Sequence, residues 1–214
     1  MANTSRINGF RPVKHITGAP YNGQANMYAV SSANGTAVFV GDLVKLAADG
    51  NTAAGMQFVV PATAGVAGTG AAAVGVVVGI VPAKMDPVTG AMTAGSIALD
   101  TPQYLAASTA GYVLVADSPD LLFHVEATNG GSSYSFAVAD VGQNCNMFAG
   151  SGSTTTGTSA HSADLGDKGT TATLPLKVWG VDRKIDNEVT GAATKILVQI
   201  NNHQFKGGTG TAGL

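Results

Sequence analysis

The chain has 214 residues, of which 45% are hydrophobic and only 11% charged, and its net charge is −2. An average soluble domain carries about 25% charged residues, so the polar surface here must come largely from Ser, Thr, Asn, Gln and backbone. The apolar content suffices for one sizeable core and excludes disorder throughout, while so weak a field speaks against nucleic acid or an anionic membrane as partner.

Residues 1–24 hold Arg6, Arg11 and Lys14 with no acid, together with Gly9, Pro12, Gly18, Pro20 and Gly23. Glycine and proline at that density break helices and supply turns and extended geometry, so this section reads as an extended N-terminal arm whose order depends on a partner. The opening MANTSRINGF lacks the apolar core of a secretory signal, and a cytoplasmic start is expected.

Residues 25–206 read as a single β-rich domain. NMYAV, TAVFV and GDLVKLAADG are short apolar runs separated by turn residues, which is strand punctuation. Asn34-Gly35 and Asp49-Gly50 suit tight turns because both residue types tolerate positive φ. AAVGVVVGIV at 72–81 predicts a buried strand, with Gly75 and Gly79 letting neighbouring backbone come close. The stretch 50–83 has no charge and is long enough to cross a bilayer. Its Pro61, Pro82, many glycines and small side chains argue against a transmembrane helix, because insertion depends on summed side-chain hydrophobicity.

After the turn-like DPVTG at 86–90, the runs TPQYLAAS, TAGYVLVADSPD and LLFHVEATNGG predict a β-meander. A turn at 117–120 sets Val113, Leu114 and Val115 across from Leu121, Leu122, Phe123 and Val125, and the nearly continuous apolar runs imply burial on both faces. SFAVADVG fits a short helix near 135–144 or a strand equally. Residues 141–163 form a second uncharged block, and its SGSTTTGTSAHS makes 141–170 a long loop or assembly arm. ATLPLKVWGVDRK and TKILVQINNHQF return to strand patterning around the turn-prone IDNEVTGAA, and 207–214 reads as a flexible tail. The fold class expected is all-β: a β-sandwich or barrel of short antiparallel strands with the extended arm and at most one or two short helices.

No catalytic chemistry stands out. His15, His124, His161 and His203 are scattered, and none has a His or Cys at a metal-ligand spacing. Cys145 lies in no nucleophile signature and reads as a small buried side chain. GVAGTGAAA at 65–73 lacks the spacing and the Lys of a phosphate loop. The pairs Asp117/Asp120 and Asp164/Asp167 read as turn residues, with a calcium loop the sharper alternative. Catalytic, cofactor and metal residues are therefore none, and no cofactor is expected.

The phrases RPVKHITGAPYNGQANMY, GDLVKL, VVVGIVP, TPQYLAASTAGYVLVADSPDLLFHVE, VGQNCNM and KILVQINNHQF run in order over most of the chain. In these the chain resembles virion structural proteins of tailed bacteriophages, most of all head decoration, or cement, proteins. The resemblance implies a non-enzymatic β-sandwich or barrel with an extended arm, a homotrimer on the head exterior, and the major capsid protein as partner. Arg6, Arg11 and Lys14 would then be the capsid-contacting residues of the arm, meeting an acidic lattice as the arm orders on its partner. A phage tail or fibre component is the alternative. A carbohydrate-binding module is the second, with Tyr21, Tyr28, Tyr104, Tyr112, Tyr134 and Trp179 as stacking surfaces. The uncharged blocks 50–83 and 141–163 are candidates for surfaces covered by neighbouring subunits.

Overall fold

The computed structural model describes residues 3–51, 55–63, 72–81, 103–189, 191–206 and 210–214. Its strands in chain order are β1 (Arg11–His15), β2 (Asn26–Val30), β3 (Val38–Phe39), β4 (Leu43–Asn51), β5 (Met56–Pro61), β6 (Gly75–Val81), β7 (Tyr104–Leu105) and β8 (Gly111–Ala116). They continue with β9 (Leu121–Asn129), β10 (Ser132–Ser133), β11 (Ser135–Phe136), β12 (Asn144–Gly150), β13 (Ala160–Gly169), β14 (Leu176–Val181), β15 (Gly191–Ala192) and β16 (Lys195–Ile200). A single 3-10 turn, Val138–Asp140, is the helical element among the described residues, so the fold is all-β as expected.

The strands form two closed circuits. β2-β5-β4-β6-β8 make a barrel, while β9-β13-β12-β14-β16 form a second ring closed by pairing of β16 with β9. The pairing is antiparallel except for β2 with β5 and β13 with β9, a departure from the purely antiparallel expectation. β1 lies along β9 beside the point where β13 joins it, with Arg11 opposite His124 and Lys14 opposite Leu122.

Neighbouring residues of a strand face opposite ways, and here both ways lead indoors. Val44, Val77 and Val115 point into the barrel, where the buried cluster of Val30, Val38, Val44, Val59, Val74, Val77, Val113 and Val115 is valine throughout. A five-stranded barrel is too narrow for larger side chains on every strand, and β-branched residues suit its pleat. Their neighbours Leu43, Val76 and Ala116 point outward and join Phe123, Val125, Met147, Leu176, Ile196 and Val198 in a second core. That core fills the second ring and the seam between the two circuits, which explains the two-faced burial legible in the apolar runs. Each large side chain so buried stabilises the fold by about 1.5–3 kcal/mol before entropic costs.

Several expectations need correction. β8 and β9 do not pair: residues 117–120 carry the chain from the barrel to the ring, and β8 finds β2 and β6 instead. The stretch 141–170 is not a loop. It holds β12 and β13, a hairpin in which Cys145, Met147, Ala163 and Leu165 join the core, while its polar Asn144, Asn146, His161 and Ser162 are also buried and bonded within the protein. Asp49 and Gly50 lie within β4, where the register slips between Leu46 and Gly50, so the glycine serves a bulge rather than a turn. Residues 135–144 divide into β11, the 3-10 turn and the start of β12.

The segments at both ends of the sequence lie on the protein itself. Phe10 is buried in the shared core, and its amide donates to the Gly41 carbonyl at 2.9 Å. Gly9 has φ +72°, and a Cβ there would sit 2.6 Å from the Gly41 oxygen, so the crossing requires glycine. Residues 210–214, read as belonging to a flexible tail, pack against the ring: the Thr211 carbonyl accepts from Asn144 Nδ2 at 2.7 Å and the Leu214 amide donates to the Gly142 carbonyl at 3.1 Å. The turn at 86–90 and most of the glycine run at 65–73 lie outside the described residues. Among those described, no helix is long and apolar enough to cross a membrane.

Candidate assembly surface

Alternation along β9 turns Leu121, Phe123, Val125 and Ala127 inward, and so presents His124 and Glu126 on the opposite face. Cross-strand register then places Arg11 of β1 beside His124 and Lys195 of β16 beside Glu126. Glu126 is only 3% exposed, and a carboxylate that deep needs partners. It has them: Ser5 Oγ donates to Oε1 at 2.6 Å, the Arg6 amide to Oε2 at 2.8 Å, and the Lys195 ammonium pairs with Oε2. Asn3 adds a second clamp, its Oδ1 accepting the Glu188 amide at 2.6 Å. The arm is thus fixed to its own ring, not left to order on a partner.

The three arm residues singled out in the sequence divide. Arg6 and Arg11, both exposed, line one small hollow with His124, Glu126 and Lys195. Lys14 is exposed farther along β1, beside the turn that returns through Pro20, and lies outside that hollow. Burial lowers the His124 pKa, with Asp182, 3.3 Å away, pulling the other way. Asp182 also pairs with Lys184 at 2.8 Å.

Next to this charged face lies an apolar groove of about 850 Å³, lined by Val138, Val141, Trp179, Ile185, Val189 and Leu197 among others. Trp179 alternates outward on β14, and its indole N–H is fixed to Gln199 Oε1 at 3.0 Å, leaving the ring 46% exposed. The loop 182–189 separates groove from charged face. Asn187 pins that loop: its Nδ2 donates to the carbonyls of Asp182 and Lys195 at 2.6 and 2.7 Å, and its Oδ1 accepts the Lys195 amide at 2.8 Å. Sequence reasoning missed the groove, although Ile185 and Val189 in an otherwise polar turn were a readable signal.

The remaining candidates are distributed elsewhere. Cys145 is fully buried, and burial, helped by nearby Asp164, Asp167 and Asp140, pushes its thiol far above the ordinary value. His161 is buried at the seam between the circuits, and His203 accepts the Phe205 amide at 3.1 Å. Asp117 accepts from Asn26 and Tyr28, Asp164 from the amides of Gly130 and Gly166, and Asp167 from Asn146, so these carboxylates bind protein donors. Among the described residues no three His, Cys, Asp or Glu side chains stand close enough to hold a metal. The tyrosines do not form a platform with Trp179: Tyr112 is buried, Tyr104 stacks on Phe39, and Tyr28 is tied to Asp117. No family model, curated protein or solved structure matches the chain.

Proposed function

We propose that this chain is a structural protein of a tailed-phage particle, a head decoration protein that binds the outside of the major capsid lattice and stabilises it. The observation that carries the reading is the pinned arm. Glu126 fixes Ser5 and the Arg6 backbone to the ring, so Arg6 and Arg11 are presented on a rigid support beside an exposed apolar groove. An arm backbone already held in place loses little entropy on meeting an acidic lattice, and an adjoining apolar surface supplies contact area. The run of phage-like sequence phrases along the chain supports the same reading. In this account the protein acts mechanically, adding interface between capsomers, and it performs no chemistry.

The test is co-sedimentation of the purified chain with expanded capsids that lack it. Binding in hundreds of copies per particle, lost on charge reversal at Arg6, Arg11 and Lys14, is the expected result. Absence of binding defeats the proposal, and a copy number in the tens or fewer favours a tail or fibre component.

A further inference from the structure

We propose that the groove beside Trp179 receives Ile185 from a second copy of this chain, in a mutual contact. Ile185 is as exposed as a side chain can be, at 106%, and Val138, Trp179 and Val189 around the same groove are 64%, 46% and 48% exposed. Apolar side chains gathered this way in one patch mark a surface that is covered in use. Three features select a copy of the same chain as the cover. Projecting side chain and receiving groove belong to one patch, which is the condition for a self-complementary interface, where residue i meets j and j meets i. Arg183 and Asp186, both exposed, flank Ile185 with opposite charges, so two loops meeting antiparallel set each Arg183 against the other copy's Asp186. The loop is also preformed: Asn187 holds it through three hydrogen bonds, and the Asn187 amide donates to the Lys184 carbonyl at 3.1 Å. A projecting anchor that needs no ordering on contact loses least on association.

Self-association of this kind belongs to the purified chain and does not depend on capsid binding. Sedimentation velocity over a concentration series should show association of the wild type. Ile185→Asp on the projecting side and Val138→Glu on the receiving side should each weaken it at least about tenfold, with the circular dichroism spectrum unchanged. Arg183→Asp and Asp186→Arg should each weaken association, and the two together should restore it. A wild type that is monomeric at every concentration overturns the proposal. So does an assembly of any size that survives Ile185→Asp, or a charge-swapped double variant no better than its singles.

Discussion

Nε2 of His161 lies 3.5 Å from Oδ1 of Asp42, with both side chains buried where the barrel meets the second ring. The other ring nitrogen, Nδ1, accepts the Leu43 amide at 3.1 Å, so the imidazole carries its proton on Nε2, facing the carboxylate. Asp42 Oδ2 in turn accepts the Phe39 amide at 2.8 Å. One histidine thereby joins β13 to the start of β4. Burial lowers the His161 pKa and raises that of Asp42, so the charged form of each is disfavoured.

Stability should fall on mild acidification. Burial lowers His124, His161 and His203 below the ordinary 6.5, so at mildly acid pH the unfolded chain takes up protons that the folded protein does not. Their contribution is complete above pH 6.5 and is lost as the pH falls from there toward each folded-state pKa, at up to about 1.4 kcal/mol per pH unit for each histidine. Asp42 acts in the opposite sense, returning stability only as the pH falls through its raised pKa. Urea midpoints measured at neutral and mildly acid pH should therefore decline, and His161→Asn should shallow the slope. A profile flat down to the carboxylate range would contradict this account.

Glu126 should behave as the fastener of the arm. Replacing it with Ala leaves the Lys195 ammonium without its carboxylate and frees Ser5 and the Arg6 amide, at a cost of about 3–5 kcal/mol. Limited proteolysis should then cut within residues 3–10 while the ring strands stay protected. An uncut arm in Glu126→Ala would show that Phe10 and β1 hold it unaided.

Two glycines of β6 should respond differently. A Cβ on Gly75 would collide with the Ala116 carbonyl oxygen across the strand pair, and backbone cannot step aside without opening the barrel. One on Gly79 would meet only the Leu114 side chain, at 3.5 Å, an ordinary contact. Gly75→Ala should lower stability by about 2 kcal/mol or more, whereas Gly79→Ala should be neutral or slightly stabilising. Thermal melts of the two variants decide it.

Cys145 should resist thiol reagents in the native protein. Its side chain is buried and its thiol stays protonated at neutral pH because burial pushes the pKa up. Reaction with an aromatic disulfide should proceed only at the rate of unfolding and become immediate in denaturant. Rapid labelling of the folded chain would mean that β12 opens locally.

The strands were largely legible and their partners were not. Val-rich 72–81, the runs around 113 and 123, and KILVQI each became a strand, because local apolar pattern decides whether a segment can line a core. The polar β13 escaped notice, since only Ala163 and Leu165 of its sequence signal an inward face. The apolar groove escaped because Val138 is distant in sequence from Trp179, Ile185 and Val189, and the two parts meet only in space.

The arm returns the same lesson. Its extended character follows from Gly9, Pro12 and their neighbours, which restrict or release the backbone locally. That the Arg6 backbone is fixed to the ring follows from Glu126, more than a hundred residues away, and that Arg11 stands beside His124 follows from the pairing of β1 with β9. Sequence alone determined that this would be a β-protein with little charge and buried two-faced strands, because those properties are sums over neighbouring residues. Only the tertiary structure decided that residues 117–120 link a barrel to a separate ring instead of closing a hairpin. The choice rests on which side chains fill which interior, valines in the narrow barrel and larger residues in the shared core, and that complementarity exists only once both circuits have formed.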